Sequence, residues 1–380
     1  MISDVSTEEK PKIVVVQASP VRRCIRHTDS AASQILNQIK LPVKSLIRLR
    51  CVSKSCNSTI TNPIFITTHF NLNKAKSLPN NNNHNGYLLY AYKACNLPPN
   101  SYQEWCAVVC NTDRTFTEIS KFKIPFSDAR MIGYCNGILC FYIYRYENTY
   151  VKSRNYSYRD DYKIFLWNPS IKKLKMVLDT HLTTTDAHGF AYHSQNNDFK
   201  ILRIFHYLIS GEKAKPAEAE VYMLSTDSWR TVGPLSGSIV EIEDDFVFVD
   251  GALYYLARNT EGRKFILSFD VNDERFREIM LPDDYLGDFS PHFCNFELLA
   301  VFKGLLALVA FGTDLDEEDL CIIWVMREYG VVESWTLYTV PVDYVEMFYG
   351  FTDNGELLIE VKSGIVSFDP DSLNENNLGI

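Results

Sequence analysis

Short apolar runs dominate the chain from Tyr87 to its end. Each run is rich in Val, Ile, Leu, Tyr and Phe and is bounded by Gly, Asn, Asp or Pro, the pattern of β-strands separated by tight turns. Five such runs are Gly86–Tyr92, Gly137–Ile143, Gly251–Ala257, Gly304–Val309 and Gly355–Val361. No long amphipathic helix interrupts them, so the pattern predicts a mainly β fold and argues against an α/β fold.

The runs recur in a fixed order. A turn signal precedes three of them, at Asn136-Gly137, Asp250-Gly251 and Asn354-Gly355, and a second strand and often a third follow. The unit repeats about every 50 residues, the size of a blade in a kelch-like β-propeller. We count five to six weak copies over residues 87–372. A large β-sandwich is the alternative, but it does not account for the repeated order, so the pattern favours the propeller.

Before Tyr87 the pattern changes character. Residues 1–28 mix charges without periodicity and are predicted to be a disordered tail. Residues 29–72 carry apolar positions at helical spacing, with prolines placed to open helices, and are predicted to form a compact module of three short helices. Residues 73–86 contain a run of Asn with nothing to bury, and are predicted to be a polar linker.

Composition and charge limit the classes of function that the chain could have. The chain has 380 residues, with 38 Lys and Arg against 47 Asp and Glu, a formal net charge of −9. We expect no nucleic-acid partner, since phosphate binding needs concentrated positive charge, and no membrane span, since no apolar run is long enough. No phosphate loop, nucleophile elbow, zinc-protease helix or dinucleotide motif is found, so we expect no catalysis, cofactor or metal. The N-terminus lacks the pattern of an export signal, which predicts a cytoplasmic or nuclear location.

The segment from Leu41 to Ile60 reads LPVKSLIRLRCVSKSCNSTI. It resembles an F-box, with the ordered blocks Leu-Pro-Val-Lys-Ser-Leu and Cys-Val-Ser-Lys-Ser, and Asn62-Pro63 matches the end of the motif. Two departures make it a partly degenerate copy. Residues 29–39 lack the earlier Leu-Pro and acidic helix of the family, and Cys56 stands where the family has a Trp that buries roughly 200 Å².

The later chain resembles the F-box-associated interaction domain of plant F-box proteins, and the two resemblances together cover residues 33–370. The matching stretches include Tyr134–Cys140, Leu166–Ser170, Asn197–Arg203, Ala219–Trp229 and Ile323–Val331. The resemblance implies a substrate receptor of an SCF ubiquitin ligase, non-catalytic itself, that binds a Skp adaptor and through it cullin and RING subunits. The alternative is a ligase-independent protein-binding module whose F-box no longer functions.

Two sets of residues are candidates for contact with partners. An apolar helical stripe with flanking cations suits an acidic adaptor surface, although its apolar members also suit the core of the module itself. The candidates for adaptor binding are Leu41, Pro42, Val43, Leu46, Arg48, Arg50, Val52 and Lys54. Target binding is expected in three variable stretches, 145–161, 211–217 and 312–319, because loops of propellers carry their binding faces. The candidates there are Tyr146, Tyr150, Arg154, Tyr158, Asp316 and Glu317.

Overall fold

The computed structural model describes eighteen stretches of the chain. They are residues 12–16, 45–46, 48, 50–51, 53–62, 65, 87–95, 102–112, 115–126, 129–144, 162–178, 187–205, 217–233, 235, 239–283, 285–286, 289–314 and 318–378. The predicted linker at 73–86 lies outside them. No helix among these residues has the length and apolar character to cross a membrane.

Six antiparallel sheets of four strands make up the β part of the described chain. In each sheet the hydrogen-bonded order follows or reverses the order along the chain, so every sheet is a simple up-and-down blade. Blade 1 contains β1 (Lys12–Val16), β2 (Tyr87–Cys95), β3 (Tyr102–Thr112) and β4 (Thr115–Lys123); blade 2 contains β5 (Ala129–Cys135), β6 (Ile138–Tyr144), β7 (Tyr162–Asn168) and β8 (Lys173–Met176); blade 3 contains β9 (Ala187–His193), β10 (Asp198–Phe205), β11 (Glu218–Met223) and β12 (Ser228–Val232).

The remaining three blades follow the same plan. Blade 4 contains β13 (Ile239–Val249), β14 (Ala252–Asn259), β15 (Lys264–Asp270) and β16 (Arg275–Met280); blade 5 contains β17 (Phe289–Phe302), β18 (Leu305–Asp314), β19 (Asp319–Met326) and β20 (Trp335–Pro341); blade 6 contains β21 (Met347–Phe351), β22 (Leu357–Val361), β23 (Gly364–Asp369) and β24 (Asn374–Asn377). The helices whose bounds are described are α1 (Lys54–Ile60) and a 3₁₀ turn at Val332–Ser334, and Ser45, Leu46, Arg48 and Phe65 are also helical.

The first strands of the blades contact one another in a closed ring. β5 contacts β9, β9 contacts β13, β13 contacts β17, β17 contacts β21, and β1 contacts both β21 and β5. The predicted β-propeller is therefore confirmed, and the sandwich alternative is excluded, because a sandwich would stack its sheets face to face in two layers. The ring has six blades, the upper end of the range counted from the sequence.

The first strand of blade 1 comes from the segment predicted to be a disordered tail. Lys12–Val16 pairs antiparallel with β2, from Lys12 opposite Ala91 to Val16 opposite Tyr87. The prediction for these residues was wrong because a lone apolar run has no partner nearby in the sequence, whereas the ring supplies one from beyond the helical module. The propeller also continues past residue 372, since β24 ends at Asn377.

Glycine turns join the first two strands of three blades. Asn136-Gly137, Asp250-Gly251 and Lys303-Gly304 all have positive φ at both residues, between 45° and 82°. Two successive left-handed residues make a type I′ turn, whose twist matches that of the flanking strands, and Asn, Asp and Gly tolerate that conformation best. The turn signals at Asn136-Gly137 and Asp250-Gly251 therefore mark hairpins, as predicted.

Blades 3 and 4 approach each other closely near the channel. A Cβ atom built on Gly189 would lie 2.2 Å from the hydroxyl of Tyr255 and 2.7 Å from a methyl of Leu253. Tyr255 is fully buried, so it has no free space into which to move. Gly189 is therefore required because its missing side chain lets the first strand of blade 3, β9, pack at this distance against the second strand of blade 4, β14.

Polar side chains also join blades 3 and 4. Lys200 on β10 is almost completely buried, and its Nζ donates to the Val271 carbonyl at 2.5 Å and to Glu274 Oε1 at 2.6 Å. Arg230 on β12 donates to the other carboxylate oxygen of Glu274. The Glu274 carboxylate thus pairs with two cations. The contact between blades 3 and 4 depends on it, because it neutralises the buried ammonium group of Lys200.

We predict that Glu274→Gln destabilises the protein by about 3–5 kcal/mol, since it leaves the Lys200 charge buried without a counterion. Glu261→Gln in the same blade is the matched control, because the Glu261–Arg263 pair is exposed on both sides. Its loss should cost less than about 1 kcal/mol. Chemical denaturation of both variants measures the difference, and equal stabilities would contradict the role given to Glu274.

Candidate functional site

The helical module between β1 and β2 has a small apolar core of its own. The side chains of Leu46, Ile60 and Phe65 are buried against one another, and Cys56 packs on them half-buried. Cys56 and Ile60 are four residues apart on α1, so both face the same side of the helix. Leu46, a candidate for adaptor binding, thus lies in the core of the module.

Three cationic candidates lie on the outside of this module. Arg48, Arg50 and Lys54 are exposed. Arg50 Nε donates to the Asn57 side chain at 3.1 Å, and the Ser53 hydroxyl caps α1 by accepting from the Cys56 amide at 3.0 Å. These contacts fix the start of α1 relative to Arg50. The other candidates lie outside the described residues, and their contacts stay predictions: Leu41, Pro42, Val43 and Val52.

The antiparallel plan gives the propeller two different faces. At the turn face, first strands connect to second strands and third strands to fourth strands, as at Asn136-Gly137. At the loop face, second strands connect to third strands, and each blade connects to the next. Residues 17–86, which include the helical module, join β1 to β2 and so leave and re-enter the propeller at the turn face.

The strand ends that flank the three stretches predicted to bind a target lie at the loop face. Residues 145–161 join β6 to β7, 211–217 belong to the connection from β10 to β11, and 312–319 span the connection from β18 to β19. In each case the flanking strands are a second and a third strand, so these strand ends share one face, opposite the attachment of the helical module. The six target candidates lie outside the described residues, and their contacts stay predictions: Tyr146, Tyr150, Arg154, Tyr158, Asp316 and Glu317.

Four acidic residues cluster in the half of β13 nearer the loop face. The pairing of β13 with β14 shifts between Ile242 and Phe246, so Glu243, Asp244 and Asp245 form a bulge in a first strand. Glu241, just before it, lies 3.3 Å from Arg258. Such bulges re-aim side chains, and this one groups three carboxylates in the middle of the first strand of blade 4.

His188 on β9 of blade 3 forms hydrogen bonds with the bulge. The Asp244 carboxylate accepts from the His188 amide at 2.9 Å and lies 3.1 Å from Nδ1 of its imidazole ring. The ring also stacks on Tyr142, with centroids 5.0 Å apart. His188 is buried and thus has a structural role, and the described residues contain no group of His, Cys, Asp and Glu suited to a metal ion.

Burial shifts the pKa of one member of the cluster. Burial raises the pKa of Glu243 above its ordinary value of 4.5; Lys264 opposes this effect, and the carboxylates of Asp245 and Glu241 add to it. The charged form of Glu243 is therefore disfavoured in the folded protein.

Comparison with known families decides what these two parts are. Residues 115–379 match the F-box associated beta propeller domain, and residues 39–68 match the F-box domain. The chain belongs to the F-box-associated β-propeller family. The helical module at the turn face is its F-box, and the predicted combination of an F-box with a mainly β propeller is confirmed.

Plant F-box proteins are among its relatives. The chain is 24% identical to the F-box/kelch-repeat protein At3g23880 of Arabidopsis thaliana, over 87% of this chain and 85% of the relative. It is 26% identical to the F-box protein At3g07870 of the same plant, over 87% and 82%. Among solved structures, TolB from Acinetobacter baumannii matches 76% of this chain and 68% of its own at 10% identity, with a TM-score of 0.36, too low to support an argument.

Two features of this F-box propeller were not predicted from the sequence. The first is that β1, ahead of the F-box, belongs to the propeller. The second is the contact between His188 and Asp244, two residues 56 positions apart. The apolar run at Ile13–Val16 was a visible signal for the first, whereas no local pattern marks the second.

We predict that Glu243→Gln stabilises the protein at pH 7 and has no effect below pH 4.5, the ordinary pKa of this group. Because the folded-state pKa is raised, the folded protein binds the proton more tightly, and stability falls as pH rises through the interval above 4.5. Glutamine resembles the protonated group and escapes this loss. Denaturation of both proteins across this pH range measures the effect, and a difference independent of pH would refute it.

Proposed function

We propose that this chain is the substrate-recognition subunit of an SCF-type E3 ubiquitin ligase. Its F-box binds a Skp adaptor, which carries the cullin and RING subunits, and its propeller captures a protein target. The observation that supports the proposal is the arrangement of the two faces. The F-box is attached at the turn face, and the long variable connections leave from the loop face, so the adaptor and the target need not compete for one surface.

The exposed charges of the F-box favour an acidic adaptor surface. Arg48, Arg50 and Lys54 lie outside the core formed by Leu46, Ile60 and Phe65. Rim charges of this kind contribute to orientation and to the rate of association. No step of ubiquitin transfer is assigned to the chain, since transfer belongs to the partner subunits, in the cytoplasm or the nucleus.

A second candidate function is favoured by one observation. Cys56 stands at the position of the family's Trp and packs half-buried against the F-box core. A cysteine buries far less area than a tryptophan, and large aromatic anchors dominate the energy of many interfaces. A chain that has lost this anchor could act as a ligase-independent binding module with a non-functional F-box.

We predict that the purified chain binds a plant Skp adaptor and that the double variant Arg48→Glu, Lys54→Glu binds it about tenfold more weakly, because both exposed cations become anions at the acidic surface. Arg277→Glu, an equally exposed reversal on β16 in blade 4, is the matched control and should bind like the unaltered chain. Calorimetric titration measures all three.

Two outcomes would overturn the proposal in different ways. If the folded, unaltered chain does not bind the adaptor, the ligase-independent alternative takes its place. If it binds but Arg277→Glu weakens binding as much as the F-box variant does, the contact is a general effect of charge and not a specific F-box interface.

A further inference from the structure

Blade 2 has a charge opposite to that of the whole protein. The described residues of blade 2, 129–144 and 162–178, contain five Lys and Arg and no Asp or Glu, a charge of +5 in a chain whose net charge is −9. Lys172 and Lys173 lie at the start of the outermost strand, β8, and are exposed. The outside of blade 2 is therefore a surface on which anionic groups concentrate.

The same outermost strand exposes alternate apolar side chains. Leu174 is 46% exposed and Met176 51%, and the spacing of two places both on one side of the strand; Leu178, just beyond the end of β8, is 58% exposed. Among the described outer strands, β24 is polar throughout, and β16 carries Glu278 and alternating arginines. β8 combines exposed apolar residues with cations and has no acidic residue of its own.

The backbone of β8 directs the same residues to the free edge of the sheet. The Val177 amide donates to the Ile164 carbonyl, and Leu166 and Asn168 are opposite Lys175 and Lys173. Because hydrogen-bonded pairs alternate along antiparallel strands, the N–H and C=O groups of the intervening residues point away from β7. These intervening residues are the exposed Leu174 and Met176.

Side chains of blade 3 contact the free edge of blade 2 near the C-terminal end of β8. The Trp229 indole donates to the Leu178 carbonyl at 2.6 Å, and Lys175 pairs with Asp227 at 2.8 Å. These contacts hold the end of the strand in position against blade 3. We call the stretch from Lys172 to Met176 the blade 2 edge. Within it the Lys175 side chain is held by Asp227, whereas the backbone groups of Leu174 and Met176 point away from β7.

We propose that the blade 2 edge binds an acidic, extended segment of a partner protein as a fifth strand of blade 2. The partner's backbone would pair with Leu174 and Met176, its alternate apolar side chains would cover theirs, and its carboxylates would face Lys172 and Lys173. Assigning this segment to a ubiquitination target rests on the proposed function; the binding itself does not.

An extended protein segment fits this surface better than a membrane or a nucleic acid does. Neither lipid nor nucleic acid can pair with a row of outward amides and carbonyls at a period of two residues. A strand satisfies these groups and matches the alternation of Leu174 and Met176 at the same time. The charge alone would attract all three classes.

The test uses a fluorescent twelve-residue peptide that alternates Asp or Glu with Val or Ile, titrated with the intact purified chain and no adaptor. Two control peptides have the same composition, one in scrambled order and one N-methylated at alternate residues to block edge pairing. We expect the first peptide to bind and both controls to bind at least about tenfold more weakly, since edge pairing depends on backbone amides and register.

Variants of the chain locate the site. Lys172→Glu with Lys173→Glu should weaken binding about tenfold. Met176→Pro should abolish it while the blade stays folded, because the amide that is removed points away from β7. Leu174→Ser keeps the backbone and should weaken binding through the lost apolar contact, and Arg277→Glu on β16 should have no effect.

Three results would overturn the inference. The N-methylated peptide could bind as well as the parent, the β8 variants could bind as well as the unaltered chain, or vesicles with anionic lipids could bind in place of the peptide. Because no adaptor is present, these results leave the adaptor-binding test untouched, and a chain that fails to bind Skp can still bind the peptide.

Discussion

The pairing of β1 with β2 is the interaction on which the arrangement of the molecule depends. A propeller needs every blade to pack on two neighbours, and blade 1 obtains its first strand from Lys12–Val16, before the F-box. The same pairing means that the F-box is an insertion between two strands of one blade and not a free N-terminal appendage. Both ends of the insertion meet the propeller at the turn face.

Local chemistry explains which parts of the fold could be predicted from the sequence. Asn136-Gly137 and Asp250-Gly251 prefer left-handed conformations wherever they occur, so the hairpins and their period were visible. Contacts between distant segments were not. Gly189 lies within β9, where the Tyr255 hydroxyl of blade 4 excludes any side chain, and no local pattern around Gly189 marks that contact.

The same difference between local patterns and distant contacts applies to the candidate sites. The cations of the F-box were identified from its motif, and Arg48, Arg50 and Lys54 are exposed as an interface requires. The motif could not show that Leu46 faces the core of the module, because an apolar stripe serves a core and an interface equally well. The blade 2 edge was missed because the alternation at Lys173–Met176 acquires meaning only when β8 is known to be outermost.

Hydrogen exchange of the intact chain tests the closure of the ring most directly. We predict that the amides of Lys12–Val16 that pair with β2 exchange slowly, on the scale of the first strand of blade 3, Ala187–His193. Exchange of this segment at the rate of an unstructured peptide would contradict the closure of the ring by β1. The ring would then lack its closing strand, and the F-box would no longer be held at the turn face from both sides.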